Sequence, residues 1–296
     1  VLNPRQTAFL ELHVAVVFFG FTAILGRLIQ MSELEIVWYR LLLTVASLVF
    51  WPGTLRTLRS LPRGLLLKLA GVGLIVSLHW LCFYGSIKAA NVTVALSTFA
   101  ITSFFTAFIE PFVFRTRHRW SEILIGIIVV PAMYLIFSFG QTYVTGILLG
   151  LAAALLAAVF STLNRKLIRQ VGAIPMTVVE LGSGWLFLTL LLPLLLPYYP
   201  EASLLPSQAD WLYLLILALV CTSLAYVLAN RSLRQLSAFT ATLTVNLEPV
   251  YGIILAYFIF HENRELDPNF YIGTAIILLS VFLHPWLEKK LSLQRV

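Results

Sequence analysis

Apolar runs about 20 residues long follow one another along the whole chain, and no connector between them could hold a folded domain. A helix needs roughly 17–25 mostly apolar residues to cross a bilayer. That ruler places ten spans, at 8–28, 35–52, 65–87, 92–114, 121–139, 144–164, 175–196, 210–230, 237–260 and 270–287. Turn-forming residues punctuate the gaps, as in Trp51-Pro52-Gly53, Leu61-Pro62-Arg63-Gly64, Pro197-Tyr198-Tyr199-Pro200 and Asp267-Pro268-Asn269. All machinery must therefore lie inside the membrane. Composition agrees, because 60% of residues are hydrophobic and 11% charged, against roughly 25% charged in soluble domains. The first run lacks a basic leader and a small-residue cleavage site, so it reads as a retained span rather than a signal peptide. Cys82 and Cys221 sit inside apolar runs and read as small packing residues, with no disulfide or metal implied.

With an even number of spans both termini share one side. Sixteen of the twenty Lys+Arg fall on that side, including the clusters Arg56, Arg59, Arg63, Lys68 and Arg115, Arg117, Arg119. The other side takes four: Arg27, Arg40, Lys88 and Arg264. This bias predicts cytoplasmic termini. The net charge of +7 thus fixes topology, and nucleic acid is not an expected partner.

The chain also resembles itself. Residues 20–29 align with 159–168, with Phe21/Phe160, Leu28/Leu167 and Ile29/Ile168 identical. Residues 86–114 align without a gap to 232–260, sharing Ser86/Ser232, Ala95/Ala241, Thr98/Thr244, Phe112/Phe258 and Phe114/Phe260, with Lys88/Arg234 keeping its charge. Both matches join corresponding spans of a 5 + 5 division, into 8–139 and 144–287. Five is odd, so the second copy would enter the membrane inverted, the architecture of many secondary transporters.

The ninth span runs from Ser237 through Thr240, Thr242 and Thr244 to Asn246, Glu248 and Pro249, and leaves through Phe260-His261-Glu262. With the ten spans and the duplication, this stretch resembles the drug/metabolite transporter superfamily, in its EamA-like branch of ten-helix permeases. The resemblance covers essentially the whole chain. Ser103 and Thr116 depart from it, standing where the second half has Pro249 and Glu262. It implies a permease, often an exporter of amino acids, metabolites or drugs, in a bacterial inner membrane.

Polar groups at membrane depth are functional candidates, because exposing them to lipid is unfavourable. Glu248 is the deepest charge. It either binds a substrate amine or carries a coupling proton, or else hydrogen-bonds a neighbouring span. Pro249 has no N–H and frees the Val245 carbonyl, a candidate gating feature. On a continuous helix Thr242, Asn246 and Pro249 share one face, and Thr240, Thr244, Glu248 and Tyr251 nearly the opposite one. Either face fits a cavity. Arg40 and Glu180 occupy corresponding positions of the repeats, near opposite membrane faces, so no direct ion pair between them is expected. Arg40 either anchors a carboxylate or, the commoner behaviour, snorkels to the interface, while Glu180 is a candidate for coupling or gating. His79, Trp80 and Tyr84 in span three, and Thr222, Tyr226 and Asn230 in span eight, are further solute-binding candidates. A lone membrane His is more often simply hydrogen-bonded than a proton shuttle. Thr98 and Thr102 either line a cavity or bond their own i−4 carbonyls, the second being the commoner. Trp38, Trp120, Trp211 and Trp286 read as interfacial anchors.

Enzyme chemistry finds no footing. His261-Glu262 lacks the second His of a zincin, and Gly182-Ser183-Gly184 lacks nucleophile-elbow spacing. The expectation is an all-α carrier of ten transmembrane helices in two inverted repeats, moving a small organic solute by alternating access, with a proton as a candidate coupling ion. No cofactor or metal is expected. An intramembrane enzyme, or a non-transporting receptor or scaffold, is the alternative.

Overall fold

The computed structural model describes residues 2–118, 143–200 and 205–261, with scattered positions between 123 and 135 and between 268 and 283. The expected spans five and ten lie largely outside the described residues. Among those residues the structure is helical throughout, and local sequence explains where each helix starts. α1 (Pro4–Leu28) opens with a capping box between Asn3 and Gln6 and with Pro4 in its first turn. α2 (Glu33–Val49) opens with a second capping box, Ser32 with Glu35. Gly53 then takes a φ of 83°, a left-handed conformation that suits glycine. Beyond it the short α3 (Thr54–Ser60) bends 99° away from α2, so this connector is helical where a loop was expected.

The chain continues through α4 (Arg63–Ala89), α5 (Val92–Phe99), α6 (Thr102–Phe114), α7 (Val144–Leu167) and α8 (Ala173–Leu195). α9 (Gln208–Ala218) passes through a π-helical turn, Leu219–Leu224, into α10 (Ala225–Ser232). α11 (Ala238–Val245) and α12 (Glu248–Phe260) follow. Seven of these segments are long and apolar enough to cross a membrane, or eight if the bent α2–α3 pair counts as one span. The protein is an all-α, multi-pass membrane protein. Its surface supports that reading, since Leu67, Phe112, Leu190, Leu194 and Phe258 are exposed while Arg40, Glu110, Asn164, Glu180 and Glu248 are buried.

Spans four and nine are not the continuous helices that hydropathy suggests. Each is broken in the middle, and the two breaks coincide under the 146-residue shift of the sequence alignment. α5 maps onto α11 and α6 onto α12, end for end. Asn91 and Ser237, each accepting from the third backbone N–H beyond it, begin the two pairs. Arg115 (φ 54°) and His261 (φ 55°) end them in the same left-handed conformation. The first break has no proline. There Thr98 donates to the Val94 and Ala95 carbonyls and Thr102 to the Phe99 carbonyl, competing with the helix ladder. In the second, Pro249 stands in the first turn of a new helix rather than kinking an old one, which corrects the mid-helix expectation. The broken spans meet where Asn246 Nδ2 donates to Ser103 Oγ at 2.9 Å. Lys88 and Arg234, matched by the same shift, likewise each donate to a carbonyl just beyond an earlier helix, that of Ile29 after α1 and that of Val171 after α7.

α4 packs against both α7 and α8, and α8 also packs against α2. The α4–α8 crossing is set by Gly73, whose missing Cβ would run into the Glu180 carbonyl and the Ser183 hydroxyl. The close approach brings the Glu180 backbone to the centre of the bundle. Gly73→Ala should therefore push two backbones apart at a cost of about 1–3 kcal/mol. Thermal unfolding in detergent checks this, and a wild-type midpoint would contradict the tight crossing.

Candidate functional site

α1, α2, α4, α7 and α10 together with both broken spans enclose a cavity of about 820 Å³, its open mouth included. Its wall is mainly apolar and aromatic, with Phe19, Trp80, Phe83, Phe99 and Phe160. Arg40 and Glu248 are its charged groups, and Thr102, Tyr226, Asn230 and Thr242 add polar contacts. An apolar pocket with a few convergent polar groups suits a small organic molecule.

Arg40 does not snorkel. It is 3% exposed and points into the cavity wall. Its Nε donates to Thr222 Oγ1 at 2.7 Å and its Nη1 to the Tyr84 hydroxyl at 2.8 Å. The guanidinium carbon lies 3.8 Å from the Trp80 ring centroid, a stacked cation–π contact. The π-helical turn makes the Thr222 contact possible, because Thr222 returns its own proton to the Leu217 carbonyl at 2.7 Å and leaves a lone pair for Arg40. No carboxylate forms an ion pair with Arg40 among the described residues. The guanidinium is held in place by neutral partners.

Glu248 is the first residue of α12, 4% exposed and lining the same cavity. No hydrogen bond or ion pair to its carboxylate is made among the described residues, although it feels the charge of Arg40. The helix N-terminus also favours a negative charge there. Thr102, at the equivalent first position of α6, lines the cavity too, besides bonding the Phe99 carbonyl.

Neither face proposed for the ninth span survives intact. Thr242, Val245 and Glu248 line the cavity together. Asn246 turns to Ser103, Thr244 bonds the Thr240 carbonyl and Tyr251 is exposed beside Gly20. The interruption at Asn246 and Leu247 ends the single periodicity on which the two faces were drawn.

Of the other candidates, His79, Trp80, Tyr226 and Asn230 line the cavity. His79 Nδ1 is also hydrogen-bonded to the Ala153 carbonyl at 2.8 Å, and its ring is bracketed by Phe83, Phe99 and Phe160. Tyr84 acts through Arg40, and Pro249 belongs to the break rather than to the lining. Thr98 is spent on its own helix, packed against Gly150. Glu180 sits behind the wall, bonded to Asn164 and Tyr226, and makes no ion pair with Arg40. Trp38 is more than an anchor, since it donates to Thr189 Oγ1 at 2.9 Å and packs on Trp185. Trp211 is exposed with its edge on Tyr39. Trp120 and Trp286 lie outside the described residues.

Two groups escaped the sequence reading. Asn164, on α7, bridges Glu180, Tyr226 and Asn230. Glu110, near the end of α6, accepts from the backbone N–H groups of Ala238 and Phe239 and pairs with Arg165. Both are polar residues within apolar runs, but their partners lie on other helices, which the sequence alone does not pair. Among the described residues, no three His, Cys, Asp or Glu side chains gather as a metal site.

The site is thus an aromatic chamber within the helical bundle, faced by the guanidinium of Arg40 and the carboxyl of Glu248, and suited to holding a small solute. Comparison with known proteins points the same way. The model of the EamA-like transporter family matches residues 7–138 and again 144–284. The uncharacterized transporter YxxF of Bacillus subtilis (strain 168) is 26% identical over 262 residues, covering 86% of this chain and 82% of its own. A protein crystal structure shares the fold with a TM-score of 0.72 at 17% identity, over 96% of this chain and 98% of the other.

Proposed function

The chain belongs to the EamA-like transporter family, and on that premise we propose a secondary carrier of two inverted five-helix repeats, 8–139 and 144–287, working by alternating access. Members of this family are transporters, not enzymes. The duplication is supported by the two successive family matches and by the end-for-end correspondence of the broken spans. The asymmetry of basic residues supports cytoplasmic termini, and family membership favours a bacterial inner membrane with export as the direction.

The observation that carries the solute reading is the pair Arg40 and Glu248, facing one cavity without pairing with each other. A small organic solute with an acidic and a basic group, such as an amino acid, answers both charges at once, and an apolar side chain suits the aromatic wall. Arg40 anchors the carboxylate and Glu248 receives the amine. Tyr226, Asn230, Thr242 and Thr102 supply secondary hydrogen bonds, and the two helix breaks give the halves a place to flex.

Glu248→Gln keeps the size of the side chain and removes its charge. A hydrogen bond to a charged group contributes about 1.5–3 kcal/mol. Half-saturation for an amino acid in proteoliposome counterflow should therefore rise roughly 10- to 100-fold. Unchanged counterflow at matched protein levels would remove Glu248 from the site.

A further inference from the structure

Behind the Tyr226 and Asn230 wall lies a second polar cluster that solute binding leaves unused. Glu180 on α8 and Asn164 on α7 are both 0% exposed. Glu180 Oε2 accepts from the Tyr226 hydroxyl at 3.0 Å and from Asn164 Nδ2 at 3.3 Å. Asn164 Nδ2 also lies 3.1 Å from Asn230 Oδ1, and Asn230 Nδ2 lies 3.4 Å from Thr177 Oγ1. Two oxygens of the cluster, Glu180 Oε1 and Asn164 Oδ1, are buried without any donor.

Among the described residues, no cation pairs with the Glu180 carboxyl. The ionisable groups on the packed elements are Glu33, Glu35, Tyr39 and Arg40 on α2, and Arg56 and Arg59 on α3. α4 brings Arg63, Lys68, His79, Cys82, Tyr84 and Lys88. α7 adds Arg165 and Lys166, α10 adds Tyr226 and Arg231, and Tyr198 follows α8. Only Tyr226 hydrogen-bonds Glu180. Arg40 is turned to Tyr84 and Thr222, Arg165 to Glu110 and Arg231 to Glu11. An uncompensated carboxylate at this depth is strongly unfavourable, and so are two orphaned acceptors side by side.

We infer that Glu180, cradled by Asn164 and Tyr226, is a proton-binding site coupled to the solute cavity through Tyr226 and Asn230. A proton delivered by hydronium in the cavity forms an O–H bond at Glu180, neutralises the carboxylate and turns one surplus acceptor into a donor. On release it returns to water. A metal cation fits less well, because two free oxygens, Glu180 Oε1 and Asn164 Oδ1, are too few ligands for one. Coupling follows from the position of Tyr226. Its hydroxyl donates to ionised Glu180, and its ring lies 6.1 Å from Trp80, on which Arg40 stacks. Protonation takes away that charged acceptor and frees the hydroxyl to turn toward a solute.

Proton binding can be tested apart from transport, whereas its coupling rests on the carrier reading. Infrared difference spectra of the purified chain in lipid are recorded across a pH series, without solute. The protonated-carboxyl stretch should contain a titrating component that Glu180→Gln lacks. Tyr226→Phe, the gentler variant should Glu180→Gln fail to fold, removes a donor that stabilises the carboxylate. Its component should titrate at higher pH, by about one unit for a tenfold change in proton affinity. A band unaltered in both variants overturns the assignment. So does a band erased by sodium chloride but not by choline chloride at fixed pH, which would place sodium at Glu180. A titrating Glu180 band in a protein without solute counterflow would uphold the proton site and sink the carrier reading instead.

Discussion

Arg40→Gln is expected to reduce solute affinity by about 100-fold or more while leaving the protein folded. The guanidinium is the only fixed positive charge lining the cavity among the described residues, and a charge-assisted bidentate contact exceeds an ordinary hydrogen bond roughly twofold in strength. Glutamine still reaches the Tyr84 hydroxyl or Thr222 Oγ1 and fills most of the volume, so the Trp80 face keeps a neighbour. Arg40→Lys separates charge from geometry. It keeps the cation but loses the planar fork that spans Thr222 and Tyr84, so an intermediate loss of about 10-fold is expected. Binding measured by the solute-induced rise in thermal midpoint distinguishes the three proteins. Equal affinity in all of them would mean that Arg40 only braces α2 against α4 and the π-helical turn.

Glu110→Ala should have the second large effect, on stability rather than binding. The carboxylate accepts from Ala238 N at 3.1 Å and Phe239 N at 2.7 Å, tying the start of α11 to α6, and it pairs with Arg165. Truncation leaves two buried N–H donors without acceptors, at about 1–3 kcal/mol each. Arg165 is 28% exposed and regains water, so little is added for its lost partner. A total of roughly 2–6 kcal/mol follows, read as a lower unfolding midpoint in detergent. Glu110→Gln retains one acceptor oxygen and should recover about half of the loss. A truncated protein as stable as the parent would show that α11 is held by its apolar packing, through Phe239 and Leu243, alone.

Hydropathy made the spans legible because the bilayer imposes a length that sequence cannot hide, and eight of the ten have helical counterparts among the described residues. What it could not reveal were the breaks in spans four and nine. Those depend on hydroxyls such as Thr98 and Thr102 bonding backbone carbonyls, a choice that leaves mean hydropathy untouched. The alignment of 86–114 with 232–260 located both breaks without announcing them. The site was partly legible for a similar reason. Glu248, Tyr226 and Asn230 stood out as polar groups within apolar runs, and they do line the cavity. Arg40 was harder, because its distance from the helix start suggests snorkelling. Its actual partners lie 44 and 182 residues away in sequence, Tyr84 and Thr222. Only tertiary packing brings them together.

Counterflow in proteoliposomes tests the carrier and its site most directly. Vesicles loaded with an unlabelled amino acid are diluted into a trace of the labelled one, and accumulation is followed for the parent protein, Glu248→Gln and Arg40→Gln. Saturable accumulation by the parent, weakened in Glu248→Gln and lost in Arg40→Gln, is the expected result. Accumulation by Arg40→Gln equal to that of the parent would contradict the assignment of the charged pair as the solute-binding site.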